Sequence, residues 1–166
     1  MDESGVMALL AERLAQANVA ATLDPIGDEL LAELSNNPNG AKSTFRDIPL
    51  DLYGELPPDI RSAWLFALRK GFSHPPEYHP NSIQRMFALN RTGQFEVWNG
   101  ERWTRHVLAP GHSLSIPAGS WHRAPALDEH WVVASFHTAK AAELIEIVGD
   151  PANGKIGSSR VYLAEL

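Results

Sequence analysis

The stretch GHSLSIPAGSWHRAP, residues 111–125, constrains the fold more than any other part of the chain. Gly111, Pro117, Gly119 and His122 interrupt an apolar, strand-like run at fixed offsets. Glycine allows a sharp turn into a strand, and proline ends regular strand pairing because it has no amide hydrogen. Gly119 then reverses the chain, which directs His122 into the interior of a small barrel. The pattern predicts compact β structure with a histidine inside it.

Antiparallel β structure is also indicated by the composition from about residue 62 onwards, where aromatic and β-branched runs alternate with Gly, Pro and Asn. Asn99-Gly100 predicts a two-residue type I′ turn, because both residues tolerate positive φ. The terminal RVYLAEL is interpreted as a returning strand. AKAAELIEIVGD fits a helix or a strand, and we favour the helix. The predicted strands cover residues 63–68, 83–89, 94–98, 102–108, 113–117 and 130–137.

Two amphipathic helices are predicted in the first fifty residues, which we expect to be helical. Apolar residues recur at helical spacing over about residues 4–18. In the second helix, Asp24 acts as the cap, Pro25 suits the first turn, and the sequence NNPNG ends it. Each helix carries an apolar stripe that the other cannot cover alone. The stripes therefore need the barrel of the same chain or that of a second subunit.

The spacing of Gly111, Pro117, Gly119 and His122 resembles the second conserved motif of the cupin superfamily. Family members usually have Asn four residues after this histidine, where this chain has Ala126. The resemblance implies a mainly β protein, an antiparallel β-barrel or jelly roll of the cupin type with two N-terminal helices. The implied division of the single domain 1–166 is a helical extension (1–50), a cupin core (60–138) and a closing segment (139–166).

The first motif of the family, which supplies further metal ligands, is altered in this chain. Counting from Gly71 places Glu77 where the family has its first histidine and Gln84 where it has glutamate. His79 keeps the second histidine. We prefer this register because Glu77 and His79 both bind hard or borderline divalent ions.

Two alternatives to this ligand set remain open. Counting back from Gly93 gives His79, Asn81 and Met86, which keeps one ligand of three. His74 lies five residues before His79 and replaces Glu77 as a ligand if the loop folds differently.

The resemblance implies a metal site formed by Glu77, His79 and His122, two histidines and one carboxylate. Gln84 is a weaker fourth ligand or a substrate contact, and Trp121, beside His122, is a candidate for the pocket wall. Such a set with open coordination positions suits non-haem iron, and nickel, manganese or zinc accept the same donors. The expected cofactor is therefore one divalent ion of this group.

Composition excludes several other classes of protein. The chain has no cysteine, which rules out disulfides, thiolate metal sites and a cysteine nucleophile. A net charge of −6 gives no basic surface for nucleic acid or an anionic membrane. The N-terminus has acidic residues and no signal-peptide pattern, and no run of about 18 apolar residues is present to span a bilayer. We expect a cytoplasmic protein.

Three functions are compatible with these observations, because the cupin fold hosts many activities. The first is a metal-dependent enzyme acting on a small organic acid or another oxygen-rich small molecule, as a dioxygenase or a lyase. The second is a non-catalytic protein that binds a small effector or sugar without tight metal. The third is a structural dimer with a filled barrel. Because family members are commonly dimers, the resemblance also implies a homodimer.

Overall fold

The structure is a computed structural model that describes residues 1–162. It contains two helices, α1 (Glu3–Leu14) and α2 (Ala17–Asn36), and short 3-10 turns at Leu50–Tyr53, Ala141–Glu143 and Pro151–Asn153. The strands are β1 (Ser43–Asp47), β2 (Ser62–Leu68), β3 (Glu77–Tyr78), β4 (Gln84–Asn90), β5 (Gly93–Trp98), β6 (Trp103–Leu108), β7 (Ser113–Ile116), β8 (His122–Arg123), β9 (Trp131–His137), β10 (Ile145–Asp150) and β11 (Lys155–Val161).

The strands form two antiparallel sheets that pack face to face. One has the order β1-β2-β9-β4-β7 and the other the order β11-β10-β3-β8-β5-β6. Apolar residues from both sheets meet between them, including Met86 of β4 and Phe95 of β5. Trp131 joins the two sides, because its ring centroid lies 5.6 Å from that of Phe95. This is the mainly β, cupin-type jelly roll expected from the sequence.

The two helices cover the outer face of the five-stranded sheet. Leu10, Leu30 and Leu34 are buried in one cluster with residues of β2 and β9. The start of α1 is fixed by Glu3, whose carboxylate accepts two hydrogen bonds of 2.8 Å from the buried Arg85 of β4. No helix among residues 1–162 is long and apolar enough to cross a membrane.

The N-terminal region differs from the prediction in three ways. The break between the helices lies at residues 15–16, so α1 ends before residue 18 and α2 begins before Asp24. Pro25 lies inside α2 and not in its first turn. The first fifty residues are not all helical, because residues 43–47 pair along their whole length with β2. Pairing between strands distant in sequence stabilises this strand, and local periodicity does not report it.

Two further expectations about the strands are corrected. In the hairpin turn after β5, the amide of Asn99 donates a hydrogen bond to the carbonyl of Arg102. The two central residues of the turn are therefore Gly100 and Glu101. Only Gly100 in this turn has positive φ, at 101°, so it is not the type I′ turn predicted at Asn99-Gly100. Residues 139–150 form a 3-10 turn and β10, not a helix. The predicted final strand overlaps β11 at residues 160–161, and residues 163–166 lie outside the described part.

Candidate metal centre

The two motif regions meet where β3 pairs with β8. Glu77 and His122 are direct cross-strand partners in this antiparallel pair. The turn at residues 117–120 precedes His122; the amide of Ser120 donates to the carbonyl of Pro117, and Gly119 has a φ of 78°. Positive φ at the third position is the requirement of a type II turn, which explains why glycine occupies position 119.

Glu77, His79 and His122 form the group of described residues that is suited to hold a metal ion. One ligand atom from each lies within 4.8 Å of the others. His122 Nε2 is 3.6 Å from Glu77 Oε1, and the two imidazole centroids are 5.4 Å apart. Both histidines are buried and Glu77 is half-buried. The structure thus brings together the three ligands proposed from the sequence.

Backbone carbonyl groups orient both histidine rings. His79 Nδ1 lies 2.9 Å from the Ile145 carbonyl oxygen, and His122 Nδ1 lies 3.0 Å from that of Ser120. Because a carbonyl oxygen only accepts, Nδ1 carries the hydrogen in each ring and Nε2 presents its lone pair. This arrangement is the usual one for metal-ligating histidines.

The electrostatics of the site depend on burial and on close charges. Burial, and then repulsion by His122, lower the pKa of His79 to about 4. Burial alone would raise the pKa of Glu77, but the neighbouring imidazoles of His122 and His79 keep it below its ordinary value. Glu77 is therefore ionised and His79 neutral at pH 7, which is the protonation that metal binding requires of these two residues.

Glu77 and His79 of the ligand group border a cavity of about 140 Å³. Trp64, Phe66 and Phe95 form apolar parts of its wall. The polar wall includes Gln84 of β4 and Glu146 of β10. Several buried polar atoms at this site have no hydrogen-bond partner: Gln84 Oε1, His122 Nε2 and Glu146 Oε2. A bound cation and its ligands would satisfy such atoms, so the residues present fit a divalent ion.

His137 also faces the cavity but is held by hydroxyl groups. Its Nε2 is 2.9 Å from Ser135 Oγ and its Nδ1 is 3.3 Å from Ser82 Oγ. Burial lowers its pKa well below the ordinary value, so the ring is neutral. Within residues 1–162, His137 is not part of the ligand group.

The remaining candidates occupy different places. Trp121 was expected in the wall of the cavity, but it borders an outer groove instead. Its ring packs edge-on against Tyr78, with the two ring centroids 4.6 Å apart. Its neighbour His122 takes the inward position, because side chains alternate along a strand. In the alternative register, the Asn81 amide donates to the Glu143 carbonyl and Met86 lies in the apolar core. His74 lines the cavity without belonging to the ligand group.

Sequence reasoning missed Glu146 and its partner Arg160. Arg160 contacts Glu146 Oε1 through two nitrogen atoms, Nε and Nη2, and each lies 2.8 Å from that oxygen. Burial and the neighbouring Glu77 raise the pKa of Glu146 above its ordinary value, against the effect of Arg160. The two residues are cross-strand partners in β10 and β11. Treating residues 145–150 as a strand would have exposed this pairing.

Comparison with known proteins agrees with this architecture. Residues 64–134 match the cupin domain family. Residues 64–134, less than half of the chain, are therefore similar to a cupin domain. Among proteins with curated functions, none gives a significant match to the sequence.

Solved structures with related folds are distant in sequence. The coconut allergen cocosin matches with a TM-score of 0.51 and 19% identity, over 68% of this chain and 29% of that chain. An oxalate oxidase in complex with glycolate gives 0.49 and 14%, over 66% of this chain and 57% of that one. A DMSP lyase from Ruegeria pomeroyi gives 0.45 and 18%, over 57% and 46%. The chain spans 51% to 57% of the oxalate oxidase chains that it matches. The likeness to cocosin shows a shared fold and nothing more.

Proposed function

We propose that this cupin is a divalent-metal-dependent enzyme acting on a small organic acid or a similar oxygen-rich molecule, as a dioxygenase or a lyase. Glu77, His79 and His122 hold the ion, which can be iron, nickel, manganese or zinc. The observation that carries the proposal is the convergence of three ligand atoms within 4.8 Å beside a cavity. When bound, such an ion polarises an oxygen-bearing substrate or activates water or dioxygen.

The size of the cavity limits the substrate. An engineered cavity of about 150 Å³ accommodates benzene, and the cavity here has about 140 Å³. A substrate of about six to eight non-hydrogen atoms therefore fits. Trp64, Phe66 and Phe95 supply an apolar part of the wall against which a carbon skeleton can pack. Glu77 and the two oriented histidines would fix the position of the ion, which would then be available to bind oxygen atoms of the substrate.

Metal analysis tests the proposal. Protein purified without chelator should contain close to one divalent ion per chain by mass spectrometry. His79→Ala and His122→Ala should each lose most of that metal, because each removes one of three ligands, while thermal unfolding stays cooperative. His112→Ala is the matched control, since His112 is exposed in the turn after Gly111. Equal metal content in all four proteins would exclude this centre.

A non-catalytic binding protein is the second candidate, and Gln84 favours it. A neutral amide stands where the family has a carboxylate ligand, and a ligand set with less negative charge holds divalent ions less tightly. For this function, protein purified without chelator would hold no metal and would still bind a small acid by calorimetry. The enzyme proposal expects binding of the acid only after metal is added.

A further inference from the structure

The cavity beside Glu77 and His79 adjoins a second pocket at one side of the sandwich. That pocket has a volume of about 190 Å³ and lies where β1 and β11 form the edges of their two sheets. Its lining residues, which all line the cavity as well, are Ser43, Thr44, Phe45, Arg160 and Tyr162. We call this pocket the mouth, because it lies between the two edge strands and borders the cavity.

Arg160 is the only charged side chain among the described residues that line the mouth. Its side chain is 39% exposed, so a solute in the mouth can reach it. Its Nε and Nη2 each lie 2.8 Å from Oε1 of Glu146, whose side chain is 1% exposed in the cavity wall. These contacts hold the guanidinium in position, and its exposure leaves it accessible to a ligand.

The other arginine that lines the cavity has different partners. Arg123 Nε donates to Glu96 Oε2 at 2.7 Å, and its guanidinium lies over the ring of Trp103, 4.2 Å from the centroid. Arg123 does not line the mouth. An anion that enters the cavity from the mouth therefore meets the charge of Arg160 first.

A guanidinium in this place suits an anionic group on the substrate. Its planar fork of five N–H donors matches a carboxylate, and such charge-assisted hydrogen bonds are stronger than neutral ones. Under the proposed function, the ion binds an oxygen-bearing group at one end of the substrate. A carboxylate at the other end, towards the mouth, would bind Arg160, whereas a methyl group there would form no hydrogen bond.

We propose that Arg160 is a specificity-determining residue that binds a second carboxylate of the substrate, so that the site takes small dicarboxylic acids in preference to the matching monocarboxylic acids. This inference rests on the proposed metal-dependent function and narrows its substrate class. Malonate and succinate fall within the limit of about six to eight non-hydrogen atoms that the cavity sets.

The test compares acids of equal carbon number on the full chain loaded with Zn²⁺: malonate with propionate, and succinate with butyrate. Calorimetry should show that the dicarboxylate of at least one pair binds about tenfold more tightly, the usual effect of a hydrogen bond to a charged group. Arg160→Gln should remove this preference without weakening Zn²⁺ binding. Arg105→Gln is the matched control, because Arg105 also pairs with a buried glutamate, Glu96, at 3.4 Å, but lines neither the cavity nor the mouth.

A second pair of variants separates this role from support of Glu146. Glu146→Gln keeps the guanidinium and removes the carboxyl group that it contacts, so the preference for the dicarboxylate should persist. The double variant Glu146→Gln/Arg160→Gln should lose the preference. Equal preference in these two proteins would mean that Arg160 serves only Glu146, which overturns the inference.

The other failures are distinguishable from one another. A preference that persists in Arg160→Gln overturns the inference, because the ion alone would then select the dicarboxylate. Equal loss of preference in Arg105→Gln also overturns it, since any surface arginine would have the same effect. If the loaded wild type binds none of the four acids, the inference is wrong although the metal centre stands. If the wild type does not bind Zn²⁺, the proposed function fails and the inference falls with it.

Discussion

At the scale of single residues, the side chains at positions 84 and 146 determine how much negative charge surrounds the candidate metal centre. Gln84 presents a neutral amide whose Oε1 is buried without a partner. Glu146, from outside both motifs, places a second carboxyl group against Glu77. Arg160 donates to Oε1 of that group, and burial with the neighbouring Glu77 raises the pKa of Glu146 to about 8, so the group is mostly protonated at pH 7. In the proposed centre, the charge that would hold an ion thus comes mainly from Glu77.

A carboxylate at residue 84 should strengthen the proposed metal site. Gln84→Glu adds a negative charge at a buried position beside the ligand group, and ligand charge raises the affinity for a divalent ion. We expect the Zn²⁺ dissociation constant to fall about tenfold, because second-shell and ligand changes act on this scale. The metal-free variant should be less stable than the wild type, since the new carboxylate repels Glu77.

Competition titration with a chromophoric chelator measures this affinity. Gln94→Glu is the control, because residue 94 lies on β5 away from the cavity. An unchanged affinity in Gln84→Glu would mean that residue 84 does not reach the ion.

The stability of the metal-free protein should depend on pH through His79. Its pKa in the folded chain is about 4, below the ordinary 6.5, so the unfolded chain binds more protons between these values. Stability is therefore complete above pH 6.5 and is lost as the pH falls towards 4, by about 3 kcal/mol for this one group. His79→Asn should reduce the loss by that amount in urea unfolding at pH 7 and pH 4. A pH dependence identical to that of the wild type would contradict the burial of a neutral His79.

At the scale of elements, two buried glycines show how closely the layers approach. A methyl group on Gly93 of β5 would overlap ring atoms of Trp131. A methyl group on Gly27 of α2 would meet Val132 Cγ1 at 3.5 Å and Leu65 Cδ2 at 3.8 Å, which are ordinary contacts. The contact of β5 with Trp131 of β9, between the two sheets, therefore requires glycine, whereas the helix–sheet contact does not.

Alanine substitutions at these two glycines should have opposite effects. Gly93→Ala forces Trp131 out of its position and should lower the free energy of unfolding by about 2–3 kcal/mol, the cost of overpacking. Gly27→Ala should raise it by about 0.5–1 kcal/mol, because alanine is the better helix former. Urea unfolding of both variants measures the difference. Equal destabilisation would show that α2 lies closer to β2 and β9 than the structure places it.

Elements with strong local patterns were predictable from the sequence, and elements formed by distant pairing were not. β2, β4, β5, β6, β7 and β9 were expected within about two residues of their observed bounds, because their apolar runs end at turn residues. β3 and β8 have two residues each and exist through their pairing with one another and with β10 and β5. β10 was missed because Glu146 occupies its buried position, where an apolar residue is expected.

At the scale of the whole molecule, the N-terminal helices complete the outer layer of the sheet. The alternate residues Val132, Ala134 and Phe136 of β9 are buried in the same cluster as Leu23 and Leu30 of α2. The apolar stripes of the helices are thus covered within the chain. From the sequence, these stripes could be covered by the barrel of the same chain or by that of a second subunit. The structure has the first arrangement, so the helices do not require a second subunit.

Removal of the helices should therefore prevent stable folding. A chain that begins at residue 41 exposes the apolar outer face of the five-stranded sheet, and an exposed sheet of this kind aggregates. We expect the truncated protein to be insoluble or to elute as large aggregates in size-exclusion chromatography. A soluble truncated protein with cooperative thermal unfolding would show that the helices do not contribute to the fold.

A homodimer remains a prediction, and the edge strand β11 is the surface that we expect to form it. All seven residues of β11 are exposed, and β11 forms one edge of the six-stranded sheet. Ile156 is 70% exposed on this strand. Free backbone groups on an edge strand pair readily with another strand, and two copies of β11 can pair antiparallel about a two-fold axis.

Light scattering tests this arrangement against the chain mass of 18.3 kDa. The wild type should have twice that mass, and Ile156→Lys should reduce it to that of one chain, because a lysine on an edge strand opposes pairing. Val107→Lys is the matched control, since Val107 is 58% exposed on β6, the opposite edge of the same sheet. Dissociation by the control variant would place the interface on β6. A wild type with the mass of a single chain at every concentration would refute the dimer.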